Sequence, residues 1–267
     1  MLKWISHWHQ LRFHTLLFIL CWMSSPLLAA ANHQGEPGRL AIVIDDLGYR
    51  SFPAGLDQLP AEISLSILPT TPYDQVIAEE ATQQGRDIII HMPMEPSGQA
   101  PLEPNTLLAS MDKATYLAHI DTAIARLPQA IGMNNHMGSS LTANNERMDW
   151  LMQRLSLNGL SYLDSVTTVD SVAGSTAIAH QLPTLRRHIF LDHFQDEHFI
   201  RKQLALAETT ANQHGFAVAI AHPHPLTLQV LATVLPTLNI ELVKVSELWQ
   251  QSLSQPDKRM PSPRPKP

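Results

Sequence analysis

The chain has 267 residues, a formal net charge of −6, 44% hydrophobic and 16% charged residues, and a single cysteine, Cys21. That balance suits a folded globular domain; mild acidity argues against a nucleic-acid backbone as partner, and one cysteine excludes a disulfide framework. No Walker loop, dinucleotide-binding glycine pattern, Gly-x-Ser-x-Gly elbow or His-Glu-x-x-His helix occurs, which disfavours nucleotide chemistry and serine hydrolysis.

At the start of the chain, Lys3 and Arg12 precede an apolar stretch from Thr15 to Met23, and Ala29, Ala30 and Ala31 follow it. A basic region, a short apolar core and a small-residue exit read as a secretory signal peptide over residues 1–31, cut after Ala31. The apolar core is short for a membrane span; an uncleaved anchor is the alternative. Cleavage takes away two positive charges, moving the formal balance from −6 to −8, and removes Cys21 with them. The mature protein is then expected to be exported across the inner membrane into the periplasm, with no membrane span, its stability coming from core burial alone.

Residues 32–38 read as a flexible lead, 39–250 as one domain, and 251–267 as a disordered Pro-rich tail with five prolines from Gln255 onward. Within the domain, short apolar runs alternate with helix-length amphipathic stretches. The runs are Leu40–Ile44, Ile63–Leu68, Asp87–His91, Ala130–Met133, Leu160–Asp164, His188–Leu191, Ala217–Ala221 and Ile240–Val243. Helices are expected over Tyr73–Gln84, Lys113–Leu127, Asn145–Asn158, Asp196–His214 and Leu226–Leu235, several of them stopped by Gly or Asn. Strands and helices in alternation fit a (β/α) barrel or a doubly wound open sheet. Either architecture puts its chemistry at the carboxyl ends of the strands.

Polar residues gather at those ends. "IVIDDLG" sets Asp45 and Asp46 side by side. Neighbours on a regular strand face opposite ways, so both reach one cleft only if the strand is already breaking. Their repulsion is relieved if one binds a cation and the other handles protons. His91, ending "DIII", has the character of a zinc ligand, and Glu95 four residues on is placed to reach the same ion. In "GMNNHMGS", His136 offers a second imidazole, while Asn134 and Asn135 are suited to orienting ligands or holding substrate hydroxyls. In "AIAHPHP", His222 is the choice for a general acid because imidazole titrates near neutrality; His224 is a catalytic, ligating or structural residue. Asp164 and Asp192 end further strands, each able to orient His222 or meet a sugar hydroxyl. His188, His193, His198 and His214 read as surface or helix-end residues, and Met92, Met94, Met133 and Met137 as apolar wall.

As a set, "IDDLG", "HMPMEP", "NNHMGS", "LDS" and "AHPHP" resemble the divergent polysaccharide deacetylase family, a branch of the NodB-like carbohydrate esterases, over Arg39 to Trp249. The resemblance implies a distorted (β/α) barrel of seven to eight mainly parallel strands, a divalent metal usually taken to be zinc, and hydrolysis of an N-acetyl group on a polysaccharide or peptidoglycan-type glycan. It matches Asp45 to the general base, Asp46 and His91 to metal ligands, and His222 to the late catalytic histidine. Glu95 stands where the better-studied relatives carry a second histidine, a role His136 is placed to take over, and their Arg-x-Pro motif is missing. The resulting expectation is a cell-envelope hydrolase with Asp46, His91 and His136 on one ion. Its rival is an inactive barrel that binds envelope glycan or a partner protein.

Overall fold

The computed structural model describes residues 37–254, so the signal-peptide reading over 1–31, most of the 32–38 lead and the tail beyond Ser254 lie outside the described residues. The strands are β1 (Gly38–Leu47), β2 (Ser64–Ile67), β3 (Ile88–Met94), β4 (Gly132–Met137), β5 (Ser161–Asp164), β6 (Thr184–Arg186), β7 (Ile189–Phe190), β8 (Phe216–Ala221) and β9 (Ile240–Leu242). The helices are α1 (Asp74–Gln83), α2 (Lys113–Arg126), α3 (Asn145–Leu157), α4 (Ala173–Ala179), α5 (Glu197–His214), α6 (Pro225–Val234) and α7 (Val245–Ser254). Asp112, Asn144 and Asp196 start α2, α3 and α5 by accepting the backbone N–H three residues on, and Gly215 ends α5 at φ 86°.

Every strand pairing is parallel, in the order β6-β5-β4-β3-β2-β1-β8-β7, with β9 against the first three residues of β1. The two ends of this path, β6 and β7, are consecutive in the chain. Arg187 N–H donates to Asp164 O beside β5, and His188 N–H donates to Val218 O on β8. One extended segment thus passes from one edge of the sheet to the other and curls it into a distorted barrel. The run expected at Ile240–Val243 is an appendage to β1 rather than a member of this path. Strand β6 and helices α4 and α7 are additions to the sequence reading, and α7 runs to Ser254, past the division placed at residue 250.

Alternation along each strand separates two cores. Ile42, Ile44, Leu65, Ile67, Ile88, Ile90 and Tyr162 face outward beneath the helices. Ala41, Val43, Ile89, Leu163, Leu185, Val218 and Ile220 face inward and meet Leu248 and Trp249 of α7. Trp249 Nε1–H donates to Tyr162 O, and a Cβ on Gly132 would lie 2.5 Å from the Trp249 ring, so α7 seats only because position 132 has no side chain. Two residues beyond the inward apolar rows stand Asp45, His91, Ser165, Arg187 and His222, which open into one cavity at the carboxyl ends. Met92, Met94 and Met133 belong to the outer core, correcting their reading as site wall; Met137 alone of the four lines the cavity. Among the described residues no helix is long and apolar enough to cross a membrane.

Candidate metal centre

Two adjacent aspartates share the cavity because β1 breaks between them and its end. The β1–β2 register slips between Ile44 and Leu47, and Asp46 takes a left-handed backbone at φ 60°. Such a conformation costs a non-glycine residue about 1–3 kcal/mol and is kept where the surroundings demand it. Here the demand is visible: Asp46 Oδ1 lies 3.0 Å from His91 Nε2 and 2.8 Å from His136 Nδ1, and those two nitrogens are 3.1 Å apart. Three atoms from β1, β3 and β4 therefore form one small triangle.

The donor set fits a divalent ion. Two imidazole nitrogens and a carboxylate oxygen are zinc-type ligands, and four-coordinate bonds of about 2.0–2.2 Å space their donor atoms roughly 3.3–3.6 Å apart. The triangle is slightly tighter than that, in the sense that an ion between the three atoms would relax. The second nitrogen of His91 is also committed: Nδ1–H donates to Asn134 Oδ1 at 2.7 Å, which leaves Nε2 free to ligate. Burial opposes charge on His91, yet the neighbouring Asp45 and Asp46 carboxylates and the Asn134 hydrogen bond outweigh it and raise its pKa to about 9. Burial would raise Asp46 too, but hydrogen bonds from His136 and His91 hold its carboxyl well below the usual carboxylate range. A proton thus sits among these side chains where a cation can replace it.

Asn134, fully buried, links the ligands to the second aspartate. Its Oδ1 accepts from Ser66 Oγ at 2.7 Å as well as from His91, and its Nδ2 donates to Asp45 Oδ1 at 2.9 Å. Asp45 Oδ2 stays 3.8 Å from His91 Nε2, outside ligand contact, and available for proton transfer. Just past β8, His222 Nδ1–H donates to Asp192 Oδ1 at 2.9 Å, while Asp192 Oδ2 accepts from the His222 backbone N–H and from Thr227 Oγ1. The other ring nitrogen of His222 lies 3.6 Å from Asp46 Oδ2. Burial disfavours the imidazolium of His222, but Asp192 overrides it and shifts the pKa upward, so this side chain holds a proton to give.

Not every residue singled out in the sequence arrives here. Glu95 turns away and accepts the Ala109 N–H at 2.6 Å, so it ties down the loop after β3 instead of joining the triangle. Asn135 does line the cavity and also braces the segment after β5, its Oδ1 accepting from Tyr162 Oη and the Ser165 N–H. Asp164 points to the outer side and caps its own turn through Val166 N–H and Ser171 Oγ. His224 meets Gln195 at 3.1 Å and precedes α6; it does not line the cavity. His193, read as a surface residue, lines it. So do Ser165, Thr167, Arg187 and Phe190, which the sequence reading passed over. Counting by twos from inward Leu163 and Leu185 would have found Ser165 and Arg187; the strand-final Asp164 has the opposite parity. The cavity measures about 360 Å³, within the range of small-molecule sites.

Comparison with known proteins agrees with this architecture. The chain is 42% identical over 223 residues to an uncharacterized protein of Haemophilus influenzae, covering 82% of this chain and 80% of that one. It is 39% identical over 234 residues to the uncharacterized protein YibQ of Escherichia coli, covering 86% and 70%. Its fold matches the crystal structure of an uncharacterized protein from Agrobacterium tumefaciens with a TM-score of 0.75 at 24% identity, over 80% of this chain and 90% of the other. It also matches the catalytic domain of a peptidoglycan N-acetylglucosamine deacetylase from Eubacterium rectale with a TM-score of 0.50 at 12% identity, over 84% and 96%. The family model described as divergent polysaccharide deacetylase matches residues 42–249, and the chain is therefore a member of that family.

Proposed function

We propose that this protein is a zinc-dependent hydrolase of the cell envelope that removes the acetyl group from an N-acetylated polysaccharide. The observation that carries the reading is the convergence of Asp46, His91 and His136 in one cavity that Asp45 and the Asp192-held His222 also line. Those three residues would hold a divalent ion, which would supply Lewis acidity toward a carbonyl oxygen. Asp45, aimed by Asn134, accepts a proton from the attacking water as its oxygen bonds to the acetamide carbon. The C–N bond then breaks, and His222 hands its proton to the departing amine, giving acetate and a free amine. Asp192 keeps Nδ1 of His222 occupied, so the proton leaves from the nitrogen facing Asp46.

Family membership supports a polysaccharide substrate, and the signal-like first 31 residues support an envelope location. The test is acetate release from N-acetylated glycan oligomers with added zinc. Alanine at Asp46 or His91 is expected to abolish release, and release that persisted unchanged in either variant would overturn the assignment. Wild-type protein that holds stoichiometric zinc, binds glycan and liberates no acetate would instead identify a non-catalytic binder.

A further inference from the structure

His222 stands at the inner end of a row of aromatic rings. Its ring meets Phe190 edge-on with 5.2 Å between centroids; Phe190 is followed by His193 at 6.0 Å, His193 by Phe194 at 4.6 Å, and Phe194 by Phe199 at 5.1 Å. Exposure rises from the cavity outward. Phe190 is a half-buried part of the cavity wall, His193 lines the cavity from an exposed position, and Phe194 beyond it is 58% exposed. Exposure of one apolar side chain says little by itself, so its connection decides. Among the described residues, the other exposed tyrosine and phenylalanine side chains are Tyr49 and Tyr73, and no ring contact ties either to the cavity wall.

The segment that carries Phe194 is pinned on both sides. Before it, Asp192 is held by the His222 N–H and by Thr227 Oγ1. After it, Asp196 gives its own N–H to the Phe194 carbonyl at 2.8 Å, and its side chain caps α5 by accepting the Phe199 N–H. The Phe194 ring also packs against the rings of His193 and Phe199 at interplanar angles of 74° and 86°. A ring fixed in this way loses little freedom when a ligand lands on it. Phe190, in contrast, is occupied: the Arg187 guanidinium lies 5.0 Å from its centroid and His222 meets it from another direction.

We infer that Phe194 is the platform of a second sugar subsite, stacking against the unit next to the one whose acetamide is cleaved. This rests on the glycan reading given above. His222 gives its proton to the amine nitrogen, and that nitrogen is bonded to a sugar ring, so the reacting sugar lies on the His222 side of the acetamide carbon. The polymer leaves the cavity from that side, where the aromatic row begins. One face of a pyranose is a set of weakly positive C–H bonds, which matches the negative face of an aromatic ring while the hydroxyls stay in water. A single exposed ring suits such a ligand; a protein partner calls for a wider apolar patch.

The experiment titrates the whole mature protein, with added zinc, using N-acetylglucosamine and its longer linear oligomers, and reads affinity by calorimetry and acetate release as KM and kcat. Wild type is expected to bind the oligomers more tightly than the monosaccharide. Phe194→Ala is expected to weaken oligomer binding about 2–10-fold and to raise the oligomer KM by the same factor, the scale of one aromatic contact. Monosaccharide affinity and kcat should not change. Phe194→Trp, which keeps a stacking face, should retain the oligomer affinity. Equal oligomer affinity in wild type and Phe194→Ala overturns the inference. So does an equal loss for monosaccharide and oligomer, which would make Phe194 part of the reacting unit's pocket or of the framework. Wild-type protein that binds none of these sugars and releases no acetate overturns the glycan reading itself, and the subsite with it.

Discussion

Removing the Asn134 side chain should damage stability and metal binding together. Asn134→Ala strips partners from three groups: the Ser66 hydroxyl, the His91 Nδ1–H and Asp45 Oδ1. All three residues are at most 3% exposed, so bulk water does not replace what is lost. A buried group deprived of its partner costs about 1–3 kcal/mol. The space left by the amide can admit a water next to these polar atoms, which sets the expected net loss near the bottom of the summed range, at about 3 kcal/mol. For a domain of this size, 1 kcal/mol shifts Tm by about 2–4 °C, so melting in the presence of a chelator should fall by about 6–12 °C. Because His91 also loses the bond that orients its ring, zinc affinity should drop about 10–100-fold. Thermal melts of the chelated protein and chelator competition on the folded protein read the two effects separately. A Tm within about 2 °C of wild type, with zinc bound as tightly, would refute the linking role of Asn134.

Other residues give independent tests. Glu95→Ala should leave zinc affinity unchanged and cost about 1 kcal/mol of stability, because Glu95 holds the Ala109 N–H rather than the triangle; a large affinity loss would restore it as a ligand. His188 accepts the Val218 N–H at Nδ1, and burial beside His214 and Arg186 lowers its pKa from 6.5 to about 4. As pH falls through that window the unfolded chain takes up a proton before the folded one, so the full stability contribution is present above pH 6.5 and is lost on going to pH 4. At 1.36 kcal/mol per pH unit the loss is at most about 3 kcal/mol; denaturant midpoints, with an NMR titration of the His188 ring, check it, and a ring titrating near 6.5 would refute it. Gly132→Ala would push a methyl to 2.5 Å from the Trp249 ring and 2.9 Å from Ser161 O. Overpacking of this kind costs about 1–3 kcal/mol, and since it acts at the amino end of the barrel, zinc affinity should survive in the folded protein.

Much of the fold was legible in the chain because fully buried parallel strands read as unbroken apolar runs, and their lengths leave few alternatives. β1, β3, β5 and β8 overlap the runs expected for them, with β3 continuing past His91 to Met94, and α2, α3 and α5 start beside the capping Asp112, Asn144 and Asp196. The misses have specific causes. β6 is three residues of mixed character, and α4, rich in small residues and only seven long, offers too little periodicity. α7 was overlooked because its apolar face, Val245, Leu248 and Trp249, acquires meaning only from the open end of the barrel it covers.

The site divides along the same line. Composition and motif order determined the candidate ligand types: two carboxylates near the end of β1, imidazoles on β3 and β4 and just past β8, and a family likeness strong enough to imply an ion among them. Local sequence also carried the conditional that Asp45 and Asp46 share a cleft only if β1 breaks, and the left-handed Asp46 meets it. Which candidate completes the triangle was settled by three-dimensional packing: Glu95 was drawn to the Ala109 N–H, while His136 came within 2.8 Å of Asp46 from a different strand. Ser165 and Arg187 entered the cavity through parity and through the passage of one segment from β5 to β8, which no window of neighbouring residues can encode. The physical reason is range. Apolar period, caps and residue type act over a few positions, whereas a binding centre is assembled when the sheet brings together side chains from 45 to 90 positions apart.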